Sequence, residues 1–185
     1  MRTNFGAKPM LYPMPVLIIG SYDENGVPNA MNAAWGGISE EAEISICVSE
    51  NHKTTENILK SGAFTVSVAD AKNVIAADYV GIASGNDTSE KIAKCGWTAV
   101  KSPLVNAPYF EELPFTLECT LRSYDPETCR LVGTIVNVSA DEAILTEGKV
   151  DLHKFSPITY DPVNHHYIAL GEKVGNAFSD GKKLR

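Results

Sequence analysis

Phe115-Thr116-Leu117-Glu118-Cys119-Thr120-Leu121-Arg122-Ser123-Tyr124, the turn Asp125-Pro126-Glu127-Thr128, and Cys129-Arg130-Leu131-Val132-Gly133-Thr134-Ile135-Val136-Asn137-Val138 set the fold class of this chain. Polar and apolar residues alternate along both arms, the period of a half-buried strand, and a turn of Asp, Pro and Thr joins them. Pairing Tyr124 with Cys129 predicts that Phe115, Leu117 and Leu121 face Val138, Val136 and Val132 on a core side, with Thr116, Glu118, Thr120 and Arg122 pointing the other way. The same register sets Cys119 opposite Thr134, roughly 17 Å along the strands from Cys129, so these two thiols should not bridge.

Upstream, the apolar run Pro15 to Ser21, the turn signal Asn25-Gly26 and the extended stretch Pro28 to Gly36 predict another hairpin, and Glu43 to Val48 alternates as a strand should. Short helical patterns follow at Thr54 to Ser61 with Gly62 as stop, at Asp70 to about Val80, and at Thr88 to Cys95 with Asp87 as cap, Glu90 three residues on and Gly96 as stop. Near the end, Ile158 to Gly171 reads as a turn feeding a short strand, followed by a Gly- and Lys-rich arm. The expectation is a mainly β protein, a barrel or sandwich decorated with short helices. No low-complexity linker divides residues 1–185, which read as one domain.

The 185 residues carry a net charge of −7, and Lys and Arg occur singly, which argues against a nucleic-acid partner. No apolar run reaches membrane-spanning length, and prolines interrupt the first residues, so a cytoplasmic location is expected. Cys47, Cys95, Cys119 and Cys129 lack Cys-x-x-Cys spacing and zinc-like His partners, which leaves them as core or surface thiols. Five residues separate Gly175 from Gly181 where a P-loop has four, and Lys183 stands where that motif needs Ser or Thr. His165 and His166, adjacent in a strand-like segment, should point to opposite faces rather than share a metal.

Two stretches carry chemistry. Ser49-Glu50-Asn51-His52-Lys53-Thr54-Thr55-Glu56-Asn57-Ile58 gathers hydroxyl, imidazole and ammonium donors where a strand passes into a helix, whose first N–H groups and positive dipole end suit an anion. Thr54 is equally readable as a simple helix cap with solvated charges beside it. Asn29-Ala30-Met31-Asn32-Ala33-Ala34-Trp35-Gly36-Gly37 is a strand of poor strand formers. Either another element packs closely on it, or something flat approaches its backbone with Trp35 as an aromatic wall. Together, a phosphate cradle and a flat platform suit a mononucleotide cofactor.

At that point Pro15 to Ile19, Asn29 to Trp35, His52 to Ile58, Val80 to Gly85 with Lys91, and Tyr167 to Gly171 resemble, in order, the successive blocks of the flavin reductase-like family, flavoredoxins included. The resemblance implies an FMN-binding split β-barrel that works as a homodimer, with flavin at or near the subunit interface. It implies that Asn32, Ala33, Ala34 and Trp35 line the isoalloxazine, that Ser49, His52, Lys53 and Thr54 hold the phosphate and ribityl chain, and that Ser84, Gly85 and Lys91 complete the site. Family members often carry Arg where this chain has His52. The activity implied is hydride transfer from NADH or NADPH through FMN to a second flavin or another acceptor; the rival is a flavoredoxin-type carrier whose permanent FMN is reduced by a protein partner. The flavin carries such chemistry, so no catalytic side chain is assigned and no metal is called for.

Overall fold

A computed structural model describes residues 1–184. In chain order the strands are β1 (Met14–Pro15), β2 (Leu17–Tyr22), β3 (Pro28–Ala33), β4 (Gly36–Glu40) and β5 (Glu43–Cys47), then helix α1 (Lys53–Ser61) and β6 (Ala63–Val68). Helices α2 (Val74–Ile82) and α3 (Lys91–Cys95) precede β7 (Ala99–Lys101), β8 (Pro108–Phe110) and the long pair β9 (Phe115–Asp125) and β10 (Arg130–Ala140). The chain closes with β11 (Leu145–Thr146), β12 (Lys149–Val150), β13 (Ile158–Asp161) and β14 (His166–Ala169). Seven strands pair in the order β3-β2-β6-β9-β10-β5-β4, curling into a half-barrel, and a separate sheet pairs β1-β13-β14. This is the mainly β split barrel with three short helices that the sequence led us to expect.

Strand β2 explains why Pro15 to Ser21 is apolar throughout rather than alternating. Leu17 and Ile19 pack inside the curl with Ile44, Ile46, Phe64, Val66, Leu117 and Leu131. Val16 and Ile18 pack on the other side with Ala77, Val80, Ile92, Trp97 and Phe110, beneath α2 and α3. Successive side chains of a strand point to opposite faces, so a strand covered on both needs apolar residues at every position.

The β9–β10 hairpin forms, but its predicted register does not. Asp125, not Tyr124, makes the first pair, with Arg130, and Tyr124 lies opposite Leu131. Cys129 stays in the turn with φ 57, and Asp125 holds the turn by accepting from the Glu127 N–H at 3.0 Å and the Thr128 hydroxyl at 2.7 Å. Two bulges then shift the ladder, so that Cys119 pairs with Ile135, Leu117 with Val138 and Phe115 with Ala140. Val136 and Val138 are exposed instead of core, while Thr116 and Glu118, expected on the other face, are buried. Glu118 accepts from Ser102 and, at 2.5 Å, from Asn137 Nδ2.

Smaller expectations are adjusted likewise. The β2–β3 hairpin turns through Asp23 to Val27, with Asp23 Oδ1 accepting from the Asn25 and Val27 N–H groups, rather than through Asn25-Gly26 alone. Helix α2 starts at Val74 because Asp70 is spent accepting from the N–H and amide of Asn73. Helix α3 starts at Lys91 with neither Asp87 nor Glu90 capping it, since residues 84–88 form their own turn on the Ser84 carbonyl. Among the described residues no disulfide forms, and no helix is long and apolar enough to cross a membrane.

Candidate functional site

Strand β5 delivers the chain through Val48 to the turn before α1. Thr54, Thr55, Asn57 and Ile58 make the helix's buried face, and Gly62, in the left-handed region at φ 69, ends it with its N–H on the Ile58 carbonyl at 2.8 Å. His52 occupies the cap position in extended backbone, and no side chain caps the helix. Thr54 lies one residue inside the first turn; its hydroxyl oxygen accepts from Asn29 Nδ2 at 2.7 Å instead of serving the helix. The cap role expected for Thr54 is thereby set aside. The first N–H groups of α1 have no intrahelical acceptors, and the residues that carry them, Lys53 and Thr54, line a cavity.

This cavity, of about 210 Å³, is lined by Asn29, Met31, His52, Lys53 and Thr54 on one side and by Val80 to Gly85 with Lys91 on the other. Lys91 is 4% exposed and forms no ion pair among the described residues. Burial pushes its ammonium down to about 8, as expected for a charge removed from water without a counter-ion. Lys53 sits across the cavity, 3.2 Å from Glu56. Gly85 is required by space: a Cβ there would stand 2.4 Å from Asn29 Oδ1 and 3.2 Å from Lys53 Cβ.

A second cavity, of about 440 Å³, adjoins the first through Gly81 and Ile82 and is lined by Asn32, Ala34, Asp78, Tyr160, His165 and Tyr167. Strand β3 pairs only with β2, so its outer edge leaves alternate backbone N–H and C=O groups free beside both cavities. Asn32 Nδ2 donates to the Ala77 carbonyl at 2.9 Å and reaches the Tyr167 hydroxyl at 3.4 Å. A Cβ on Gly81 would meet Asn32 Cβ at 3.1 Å, so helix and platform are close-packed. Tyr160 and His165 Nδ1 share a hydrogen bond of 2.7 Å, with His165 held at φ 58. Burial, with Asp78 as its hydrogen-bond acceptor, pushes the Tyr167 hydroxyl up to about 12.

His52, Lys53, Thr54, Ser84, Gly85 and Lys91 thus converge on the first cavity, and Asn32 and Ala34 on the second. Ala33 turns its side chain into the barrel core, and Trp35 is exposed and lines neither cavity. Ser49 orders the turn, its carbonyl accepting from the Thr55 hydroxyl at 2.7 Å and the His52 N–H at 3.2 Å. His165 ends the turn before β14, so the adjacent pair does not alternate as strand residues would. Residue-level reading missed Asn29, Asp78, Tyr160 and His165. For Asn29 a signal existed, an amide inside a strand where such residues are unfavoured.

The donor set fits a phosphomonoester carrying a flat ring: a buried unpaired ammonium and an uncapped helix start meet a small-residue edge strand, and one buried amide oxygen, Asn29 Oδ1, lacks a partner. Residues 10–166 match the family model described as the flavin reductase like domain. Among solved structures, the chain is similar to the flavoredoxin of Desulfovibrio vulgaris (Miyazaki F), with a TM-score of 0.93 and 36% identity over 98% of this chain and 100% of that one. A flavoredoxin from Methanosarcina acetivorans gives a TM-score of 0.90 and 25% identity over 100% of both chains. An FMN-binding domain of a flavin reductases-like enzyme from Shewanella baltica OS155 shares the fold, with a TM-score of 0.79 and 20% identity over 88% of each chain. Comparison with curated proteins gave no match.

Proposed function

The chain belongs to the flavin reductase-like family, and we propose that it acts as a single-domain, FMN-dependent oxidoreductase that passes hydride from NADH or NADPH to a second flavin or another acceptor. The observation that carries this reading is the buried, unpaired Lys91 facing the uncapped start of α1 across one cavity, continuous with a ring-sized cavity along β3. FMN, when bound, supplies the redox chemistry at its ring. The residues supply binding, orientation and access.

In this reading His52, Lys53, Thr54, Ser84, Gly85 and Lys91 hold the phosphate, and Asn32 and Ala34 lie against the ring. Ala33 and Trp35 contribute through backbone, and Ser49 through the turn it orders. Ring contacts from an open edge strand enclose one side only. A homodimer closing the other side is part of the proposal, and an apolar groove of about 450 Å³ lined by Leu17, Ile38, Ile44, Leu117, Ile135 and Val138 supports it. A cytoplasmic setting, where reduced nicotinamide is at hand, completes the reading.

A second reading is favoured by the end-to-end similarity to two flavoredoxins: FMN as a permanent group, reduced by a protein donor. Anaerobic rapid mixing of FMN-loaded protein with NADH and then NADPH separates the two. Loss of the oxidised-flavin band with either nucleotide is expected. A band that persists with both, yet bleaches with dithionite, replaces the first reading with the second, and protein that holds no FMN overturns both.

A further inference from the structure

Asn29 is 7% exposed, sits on the edge strand β3 and lines the cavity at the start of α1. Its amide is used at one end only. Nδ2 donates to Thr54 Oγ1 at 2.7 Å, and Oδ1, although buried, has no partner. Resting on the flavin reading above, we infer that Asn29 is a positioning residue with two tasks: it turns the Thr54 hydroxyl proton toward the phosphate, and it takes a hydroxyl of the flavin's polyol chain on Oδ1.

The first task follows from valence. A hydroxyl has one proton and two lone pairs. With a lone pair of Thr54 Oγ1 engaged by Asn29, that proton is free to donate, and the open direction is the cavity shared with Lys53 and Lys91. Thr54 thereby becomes a donor aimed at an anion rather than a rotor that settles on a neighbouring carbonyl. The second task follows from sign. Oδ1 is an acceptor, as is every oxygen of a phosphate dianion, so the two repel. Its partner must be a donor, and on a flavin mononucleotide the donors next to the phosphate are the chain hydroxyls. Only a glycine fits at position 85 beside this oxygen, since a Cβ there would stand 2.4 Å from it, and Asn29 and Gly85 line the same cavity. An unsatisfied buried acceptor costs stability in the free protein, and a ligand hydroxyl relieves that cost on binding.

The test is a double-mutant cycle of Asn29→Leu and Thr54→Val, read by titration calorimetry of apoprotein with FMN and separately with riboflavin, which keeps the polyol and lacks the phosphate. A hydrogen bond of this kind is worth about tenfold in affinity. For FMN the expected losses are about tenfold for Thr54→Val, about a hundredfold for Asn29→Leu, and no more than about a hundredfold for the pair, because Asn29 orients a hydroxyl that Val no longer has. For riboflavin, Thr54→Val should leave affinity unchanged and Asn29→Leu should lower it about tenfold. Losses that multiply for FMN, or a riboflavin affinity indifferent to Asn29→Leu, overturn the inference. If the Leu variant does not fold, Asn29→Ser serves in the same cycle. Wild-type apoprotein that binds no FMN would sink the flavin reading itself, whereas tight FMN binding with an additive cycle sinks only the role of Asn29.

Discussion

The Tyr167 hydroxyl donates to Asp78 Oδ1 at 2.8 Å, fastening strand β14 to helix α2 across the floor of the larger cavity. Tyr167→Phe removes that tie and the longer of the two contacts of Asn32 Nδ2, leaving its bond to the Ala77 carbonyl, with a stability loss of about 1 kcal/mol. Chemical denaturation of the apoprotein measures it. Because the Tyr167 phenol is pushed up to about 12, from about 10 in the unfolded chain, its contribution is complete below pH 10 and fades as pH rises toward 12.

Lys91→Met should stabilise the apoprotein and weaken FMN binding at once. The substitution removes a buried ammonium that has no counter-ion among the described residues and keeps most of the side-chain volume. A higher thermal midpoint without flavin, together with at least about tenfold weaker FMN binding, is the expected pair. A lower midpoint would mean that Lys91 supports the fold rather than the ligand.

The same residue makes binding proton-linked. Unfolding returns Lys91 from about 8 to its ordinary value near 10.4. Between these values the unfolded chain holds more protons, so apoprotein stability rises with pH across that window. FMN affinity moves the opposite way, falling above pH 8 as the free protein loses the charge that meets the phosphate. Calorimetry in two buffers of different ionisation enthalpy should register proton uptake on binding near pH 9, and Lys91→Met should abolish it.

FMN should bind more tightly than riboflavin or FAD, since one phosphate-sized cavity of about 210 Å³ lies beside one ring-sized cavity. Replacing Lys53 and Thr54 together by Ala should narrow the gap between FMN and riboflavin while changing the unfolding midpoint little. Equal losses of fold and flavin would return this turn to a purely structural role.

Sedimentation should show a species near twice the 20.0 kDa monomer, favoured by FMN if the ligand touches both subunits. Ile38→Asp, at a residue 65% exposed on the rim of the apolar groove, should shift the equilibrium toward monomer. An unchanged sedimentation profile would place the interface elsewhere.

Where local pattern and burial agree, the sequence is easy to read. The β2–β3 hairpin, α1 with its Gly62 stop and the β9–β10 arms all fall close to their expected places. Register is another matter: alternation in β9 and β10 is compatible with several pairings, and only the left-handed Cys129 and two bulges select the one adopted. The candidate phosphate side of the site was legible because its donors crowd into one turn. Asn29, Asp78, Tyr160 and His165 were not, since they come together only when β3, α2 and the β13–β14 turn meet in space.

Tyr160 and Tyr167 stand on the β1-β13-β14 sheet and His165 on the turn between its last two strands; the sheet meets the half-barrel side at the Asp70–Pro157 bridge, at the Ile158 N–H to Ala69 carbonyl bond and where β1 runs into β2. The cavity therefore has one wall carried by a sheet of its own, tied to the rest of the site through Tyr167. The exposed residues Val163 and Asn164 at the tip of the β13–β14 turn can change their side chains in a descendant gene without disturbing barrel register. On the flavin function proposed above, preference for one electron acceptor over another would evolve by small steps in this turn, with the residues proposed to hold the cofactor left unchanged.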